Sequence, residues 1–386
     1  MKFFLTFLTV LSNTFLANAF PALDPEALNG LTPEKLSAAI RSVYNYKQAK
    51  RFIVDVNKPI EISGNHAFQA PGKSDQRGPC PGLNALANHG YIARNGITSF
   101  AEVVTAINQG KPRGLQGSHN WLEADASLTR NDYYVTGDSW TMNMTLFREF
   151  YDRADENGVL SLDLLADQAA RRWDDSVATN PNFYYGPVTG MICRNAGILF
   201  LGRLLANHTA ENPDGILTQH VLKKFFAVYE TANGYLEYRR GQESIPENWY
   251  RKPVEYGLGP LNLDLIAWIA KHPVLGSIGG NTGTVNSFIG LDMTNITSGV
   301  LNAASLVENN NLLCFAFEVL KTFLPNSLSG LLSALDAPIS LVSDVLAAPV
   351  SRLACPAWRD LTADNQPLWD GIQKQYPGAA KAGSSL

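Results

Sequence analysis

The most constraining feature of this chain is a cysteine held between two prolines, Pro79-Cys80-Pro81. Pro79 fixes the approach of the backbone, and Pro81 suits the first turn of a helix, where a missing N–H leaves no hydrogen bond unmade. A helix that starts here directs its free N–H groups and positive dipole end at the sulfur, which is predicted to lower the pKa of the thiol. Such a cysteine is a poor disulfide partner and a good metal ligand.

The sequence from Arg77 to Ile97 reads RGPCPGLNALANHGYIARNGI. This run resembles the phrase that carries the haem-ligating cysteine in haem-thiolate peroxidases, the family of chloroperoxidases and unspecific peroxygenases, and the chain resembles the long-chain type most. The resemblance implies one haem b, with Cys80 as its electron-donating axial ligand. The alternative is a structural half-cystine after a turn. His89 lies about two and a half helical turns beyond Cys80, so it is predicted to pack rather than bind the same iron.

A second segment, Glu123-Ala124-Asp125-Ala126-Ser127, resembles the Glu-Gly-Asp or Glu-His-Asp segment of the same family. The resemblance implies a Mg²⁺ beside a haem propionate, bound by the Glu123 carboxylate, the Ala124 carbonyl and the Ser127 hydroxyl. All three are hard oxygen donors, as Mg²⁺ requires. The alternative is a helix N-terminus with acidic caps.

The third segment, Asn180-Pro181-Asn182-Phe183, resembles the phrase before the distal helix of long-chain peroxygenases, where the family has an Arg and then a Glu over the haem. An ungapped alignment places Thr189 and Ala196 at those positions, and residues 176–210 contain no Asp or Glu. A positioned acid–base group contributes about 10²–10⁴ in rate. We therefore assign no catalytic residue among these side chains.

Angular spacing predicts the distal wall. At about 100° per residue, Cys193, Ala196 and Phe200 share one helix face with Thr189, so this wall is expected to be apolar. The polar pair Arg194 and Asn195 is predicted to bond loop backbone rather than take part in catalysis.

Apolar residues recur at helical spacing along much of the chain. The segments are 100–107, 146–151, 160–169, 191–206, 216–232, 261–271 and 330–347. Period-two alternation is rare, with 52–56 the best short strand, and 276–283 is dense in turn formers. The pattern predicts an all-α class with long loops, and the resemblance implies a single haem-centred domain.

Residues 1–19 have the features of a secretory signal peptide, a short apolar core followed by Ala17-Asn18-Ala19, with a first buried helix as the alternative. We predict the peroxidase domain over 20–320 and a C-terminal helical extension and tail over 321–386, which covers the domain or offers a surface to a partner. The sequons at Asn143, Asn207 and Asn295 suit a secreted glycoprotein. The net charge of −4 and the lack of a later membrane-length apolar run argue against nucleic-acid or membrane partners.

The remaining cysteines are Cys193, Cys314 and Cys355. The resemblance implies a disulfide between Cys314 and Cys355, because longer members of the family have one in this region. Cys193 is then unpaired, and we predict it to be free and buried.

The resemblance implies a secreted oxidoreductase that uses hydrogen peroxide on a small organic substrate. Because residues 176–210 lack a carboxylate, two alternatives stay open. One is a haem-thiolate enzyme of secondary metabolism whose acid comes from the substrate or from water. The other is a haem-binding protein with little turnover.

Overall fold

The computed structural model describes residues 58–97, 124–254, 256, 258–290, 362–363, 366–367 and 374–381. The expectations for 52–56, 100–107 and 330–347 lie outside these ranges. The described part is mostly helical and its strands are two or three residues long. Its α-helices are α1 (Pro81–Asn88), α2 (Tyr133–Thr136), α3 (Met144–Tyr151), α4 (Leu162–Thr179), α5 (Asn195–Phe200), α6 (Gln219–Phe225), α7 (Leu258–Lys271) and α8 (Pro377–Lys381). Its strands are β1 (Tyr184–Tyr185), β2 (Val228–Glu230), β3 (Leu236–Tyr238), β4 (Gly279–Gly280), β5 (Ile289–Gly290), β6 (Thr362–Ala363) and β7 (Gln366–Pro367).

Side-chain caps begin two of the helices that the apolar spacing predicts. The Asn143 carboxamide oxygen accepts hydrogen bonds from the first turn of α3, and Ser161 does the same for α4. Phe147 and Phe150 of α3 are fully buried. The predictions of helices at 146–151 and 160–169 are therefore confirmed, because cap and apolar stripe agree at both sites.

The segment predicted as one helix over 191–206 has a composite form. A π-helical stretch, Pro187–Arg194, leads into α5, and a second one, Leu201–Leu205, follows it. A π-turn contains more residues than an α-turn, so side chains rotate less per residue around the axis. This changes which residues share a face.

Two buried arginines tie this composite helix to its neighbours. Arg194 donates from Nη2 to the carbonyl oxygen of Ala169 in α4, at 2.6 Å. Arg203 forms a bidentate pair with Asp264 of α7, with nitrogen–oxygen distances of 2.8 and 2.7 Å. The composite helix is thus packed against α4 and α7.

Two segments differ from the prediction. The helix expected over 216–232 ends at Phe225, because Ala227 takes a left-handed conformation with φ 52° and the chain turns into the β2–β3 hairpin. The loop expected over 276–283 contains β4, which pairs with β1 and β5 in a three-stranded sheet. In both cases pairing across the chain overrides the local pattern.

The described C-terminal segment packs on this sheet. Tyr376 is fully buried, and its ring centroid lies 5.9 Å from that of Tyr184 in β1. A Cβ at Gly378 would clash with the carbonyl oxygen of Asn182, so only glycine allows this close approach. No helix in the described ranges is long and apolar enough to cross a membrane.

Candidate active site

Cys80 is the residue on which the candidate site is built. It is the N-cap of α1, with φ −84° and ψ 109°, and Pro81 occupies the first helical position. This confirms the predicted helix start. The side chain is exposed, yet the surrounding protein desolvates it strongly. Cys80 is therefore accessible while protein atoms crowd around its thiol.

The pKa of the Cys80 thiol differs from the prediction. Desolvation is the largest influence and raises this pKa, while the N–H groups of Leu83 and Gly82 and the charge of Arg130 act to lower it. The net direction is upward, so the predicted lowering was wrong. The end of a two-turn helix does not offset removal of the sulfur from water. A bound metal cation would favour the thiolate, because it supplies the charge that the helix end does not.

Asn84 fixes the loop that carries this cysteine. Its Nδ2 donates to the Gly78 carbonyl oxygen at 2.8 Å, and its Oδ1 accepts from the Gly78 N–H at 3.2 Å. The same Nδ2 donates to the Glu243 Oε1 at 3.0 Å. Asn84 thereby joins the backbone before Cys80 to a carboxylate distant in sequence.

The segment after Glu123 forms a rigid buried loop. The N–H of Ala126 donates to Oδ1 of Asp132 at 3.0 Å, and that of Tyr133 donates to Oδ1 of Asp125 at 3.0 Å. Asn180 Nδ2 bridges the two carboxylates, with 2.8 Å to Asp125 Oδ2 and 3.0 Å to Asp132 Oδ2. Desolvation first and the charge of Asp125 second raise the pKa of Asp132 to about 6. The loop is therefore held by its own carboxylates through an amide from the third predicted segment.

Of the predicted Mg²⁺ ligands, Glu123 lies outside the described residues. Ala124 and Ser127 begin the loop, and Ser127 Oγ accepts from the N–H groups of Thr129 at 3.3 Å and Arg130 at 3.2 Å. These contacts are long, and the hydroxyl holds the turn in this structure. Within the described ranges, no three His, Cys, Asp or Glu side chains cluster as metal ligands.

Arg194 and Asn195 have structural roles, as predicted. Arg194 donates from Nε and Nη2 to the carbonyl oxygen of Ala126, at 3.0 and 2.8 Å, and Asn195 donates to the Met191 and Leu275 carbonyls. Ala126 has φ 63°, a conformation rare outside glycine. The arginine thus stabilises the strained loop from the helix side.

The exposed face of the composite helix differs from the predicted one. Cys193 is exposed, and so are Gly197 and Phe200, whereas Thr189 and Ala196 are 5% and 6% exposed. The predicted grouping of Thr189 and Ala196 with Cys193 was wrong because it assumed 100° per residue through a π-helical stretch. The exposed face is nevertheless free of carboxylates, as the sequence implied.

Cys193 is free, as predicted, but its side chain is exposed rather than buried. Desolvation by the surrounding protein raises the pKa of its thiol to about 11, so the sulfur is a neutral thiol at neutral pH. A Cβ added at Gly197 would meet no atom within 4 Å, although the residue lies in a helix interior. Cys193 and Gly197 therefore border open space on one side of the composite helix.

His89 is structural. It is 2% exposed, its Nδ1 bonds the His66 carbonyl oxygen at 2.7 Å, and its Nε2 accepts from the Ile245 N–H at 3.2 Å. Both ring nitrogens are engaged, which confirms its predicted packing role.

Two of the predicted glycosylation sites lie in the described residues, whereas the third and the predicted disulfide do not. Asn143 and Asn207 are partly buried, with Nδ2 donating to Asn131 Oδ1 and to the Asn248 carbonyl oxygen respectively. Asn295, Cys314 and Cys355 lie outside the described residues.

Sequence reasoning missed two charged groups near Cys80. Arg130 donates from Nη2 to the Pro79 carbonyl oxygen at 3.3 Å, and Glu243 bonds Asn84. Arg130 follows a predicted segment and could have been tested as a candidate. Glu243 carries no local signal, because only the tertiary fold brings it to the cysteine loop.

These features fit one class of protein. An accessible, unpaired cysteine at a helix start, approached by helix N–H groups, suits a haem iron bound through cysteine. A helix-rich fold with a cysteine of this kind is typical of cysteine-ligated haem proteins.

Comparison with known proteins places the chain within that class. The family model "Peroxidase, family 2" matches residues 66–111 and 113–254. An aromatic peroxidase of Fusarium equiseti is 45% identical over 95% of this chain and 96% of that protein. A dothistromin biosynthesis peroxidase of Dothistroma septosporum is 35% identical over 96% of both chains. An aromatic peroxygenase of Cyclocybe aegerita is 27% identical over 48% of this chain and 62% of that protein.

The chain belongs to peroxidase family 2, the haem-thiolate peroxidases. It is an oxidoreductase that acts with hydrogen peroxide.

Proposed function

We propose that this protein is a secreted haem-thiolate peroxidase that oxidises an aromatic compound of secondary metabolism, with Cys80 as the haem ligand. The observation that carries the proposal is the exposed Cys80 sulfur at the start of α1. The names of the full-length relatives, an aromatic peroxidase and a biosynthesis peroxidase, supply the substrate class. They also favour an enzyme over a haem-binding protein with little turnover.

The bound haem supplies the redox chemistry of peroxide, and the chain's own residues hold and shield it. Asn84 fixes the Cys80 loop, so the sulfur keeps one position. Phe200 and Cys193 offer an apolar, uncharged wall on which a flat aromatic ring can pack. Gly197 has no side chain and borders open space, which leaves room for a large ring system.

This wall contains no proton donor of ordinary acidity. The Cys193 thiol, with its pKa of about 11, is too weak an acid to protonate the peroxide oxygen that leaves as water. We infer that the proton comes from a carboxylic acid of the substrate or from water. An enzyme that lacks its own proton donor is expected to be specialised for its own substrate and to oxidise neutral dyes slowly.

The remaining parts of the proposal concern the chain as a whole. We propose a peroxidase domain over 20–320 behind a cleaved 1–19 leader, with 321–386 covering it. The burial of Tyr376 against β1 supports a packed C-terminal segment. We also propose a Mg²⁺ at Glu123, Ala124 and Ser127, a Cys314–Cys355 disulfide and glycans at one or more sequons.

The test compares a hydroxynaphthoic acid with its methyl ester, using the haem-loaded protein and hydrogen peroxide. We expect kcat/KM for the acid to exceed that for the ester by about tenfold or more at about pH 4, where a carboxylic acid is still partly protonated, and the advantage to fall as the acid ionises at higher pH. Added acetate should accelerate the ester reaction. Equal rates for both substrates at all pH values would rule out the substrate as the source of the proton and assign the proton to water.

A further inference from the structure

Two opposite charges are buried near the Cys80 loop. Arg130 is 6% exposed and Glu243 is 2% exposed. The Arg130 Nε and the Glu243 Oε2 are buried without a hydrogen-bond partner among the described residues. A buried polar atom without a hydrogen-bond partner lowers the stability of the fold, so both groups call for an explanation.

Arg130 is fixed against the residue before the cysteine. Its Nη2 donates to the Pro79 carbonyl oxygen at 3.3 Å, and its Nη1 donates to Thr129 Oγ1 at 2.9 Å. Its positive charge acts on Cys80 and favours the thiolate. In the desolvated surroundings of Arg130, this interaction is screened little by solvent.

Glu243 approaches the same loop through Asn84. Its Oε1 accepts from Asn84 Nδ2, and its main-chain oxygen accepts from Asn88 Nδ2 at 2.8 Å. Its charge opposes the thiolate form of Cys80, and the positive charges of Arg130 and Arg77 act on Glu243 in turn. Glu243 and Arg130 therefore act on one sulfur with opposite signs.

We propose that Arg130 and Glu243 are positioning residues that set, in opposite directions, how strongly the Cys80 thiolate donates electrons to the iron. Reduction of the iron adds a negative charge. The positive Arg130 therefore favours the reduced form, and Glu243 disfavours it. The proposal rests on Cys80 as the haem ligand, which the carbonyl spectrum of the wild type tests separately.

The experiment measures the reduction potential of purified holoenzyme by spectroelectrochemistry, together with haem content and the ferrous carbonyl band. The variants are Arg130→Gln, Arg130→Lys and Glu243→Gln. At a fixed applied potential, we expect Arg130→Gln to lower the ferrous-to-ferric ratio by about threefold or more and Glu243→Gln to raise it by a similar factor. Arg130→Lys keeps the charge and should stay within about twofold of the wild type.

Asp138→Asn is the matched control, because Asp138 acts on Arg130 but is not among the main influences on the pKa of the Cys80 thiol. It should change the ratio less than Glu243→Gln does. Shifts of the same sign for Arg130→Gln and Glu243→Gln, or none for either, would overturn the proposal. An equal rise with Asp138→Asn would also overturn it, since any lost acid would then suffice. If Arg130→Gln does not fold, the sign of the Glu243→Gln shift decides.

Discussion

Asn180 is the residue whose replacement tests the structure most sharply. It is fully buried, and its single Nδ2 group donates to the carboxylates of both Asp125 and Asp132. Asn180→Ala removes two hydrogen bonds to buried carboxylates, each worth about 1.5–3 kcal/mol. We expect it to lower the free energy of unfolding by about 3–5 kcal/mol at pH 7.

The loss should depend on pH with a definite sign. The pKa of Asp132 is raised to about 6, so the folded state binds the proton more tightly than the unfolded state does. The contribution of Asp132 to the free energy of unfolding is highest below about pH 4 and falls as the pH rises to about 6. Asn180 acts to lower the pKa of Asp132. Its removal therefore moves the loss of this stabilising contribution to higher pH. Asn180→Ala should therefore recover part of its loss at pH 5.

The assay is guanidinium unfolding of Asn180→Ala at pH 5 and pH 7, beside Asn281→Ala. Asn281 is also fully buried, but its Nδ2 donates to the uncharged carbonyls of Val177 and Asn180. Its replacement should destabilise equally at both pH values. A loss below about 1 kcal/mol for Asn180→Ala, or the same loss at both pH values, would refute the bridging role.

Three further outcomes follow from the structure. Cys80→His should shift the ferrous carbonyl band from the thiolate position to the shorter wavelength of histidine-ligated haem; a histidine-type band in the wild type would contradict the ligand assignment. Gly197→Glu should raise peroxide turnover of neutral dyes by about 10-fold or more, whereas Ala196→Glu should lower protein stability, because Ala196 is in the core. Equal turnover in Gly197→Glu and the wild type would contradict this. Gly378→Val should release the C-terminal segment from β1, because its Cβ would clash with the Asn182 carbonyl; unchanged protease resistance there would contradict it.

The sequence by itself determined the features that depend on near neighbours in the chain. Pro81 after Cys80 fixed the start of α1, because a proline is favoured only at the first helical turn. Apolar spacing and a cap residue fixed α3 and α4. The absence of Asp and Glu over 176–210 determined that the exposed helix face carries no carboxylate in any register.

The tertiary structure decided everything that depends on distant partners. The composite helix contains π-helical turns, which a sequence pattern does not reveal. As a result, Gly197 rather than Ala196 lies on the exposed face. Burial made desolvation of the Cys80 thiol outweigh the helix dipole, and a sequence pattern cannot show burial. The fold brings Glu243 to the Cys80 loop, where its carboxylate accepts a hydrogen bond from Asn84. Electrostatic energies depend on distance and surrounding dielectric, and both are properties of the folded chain.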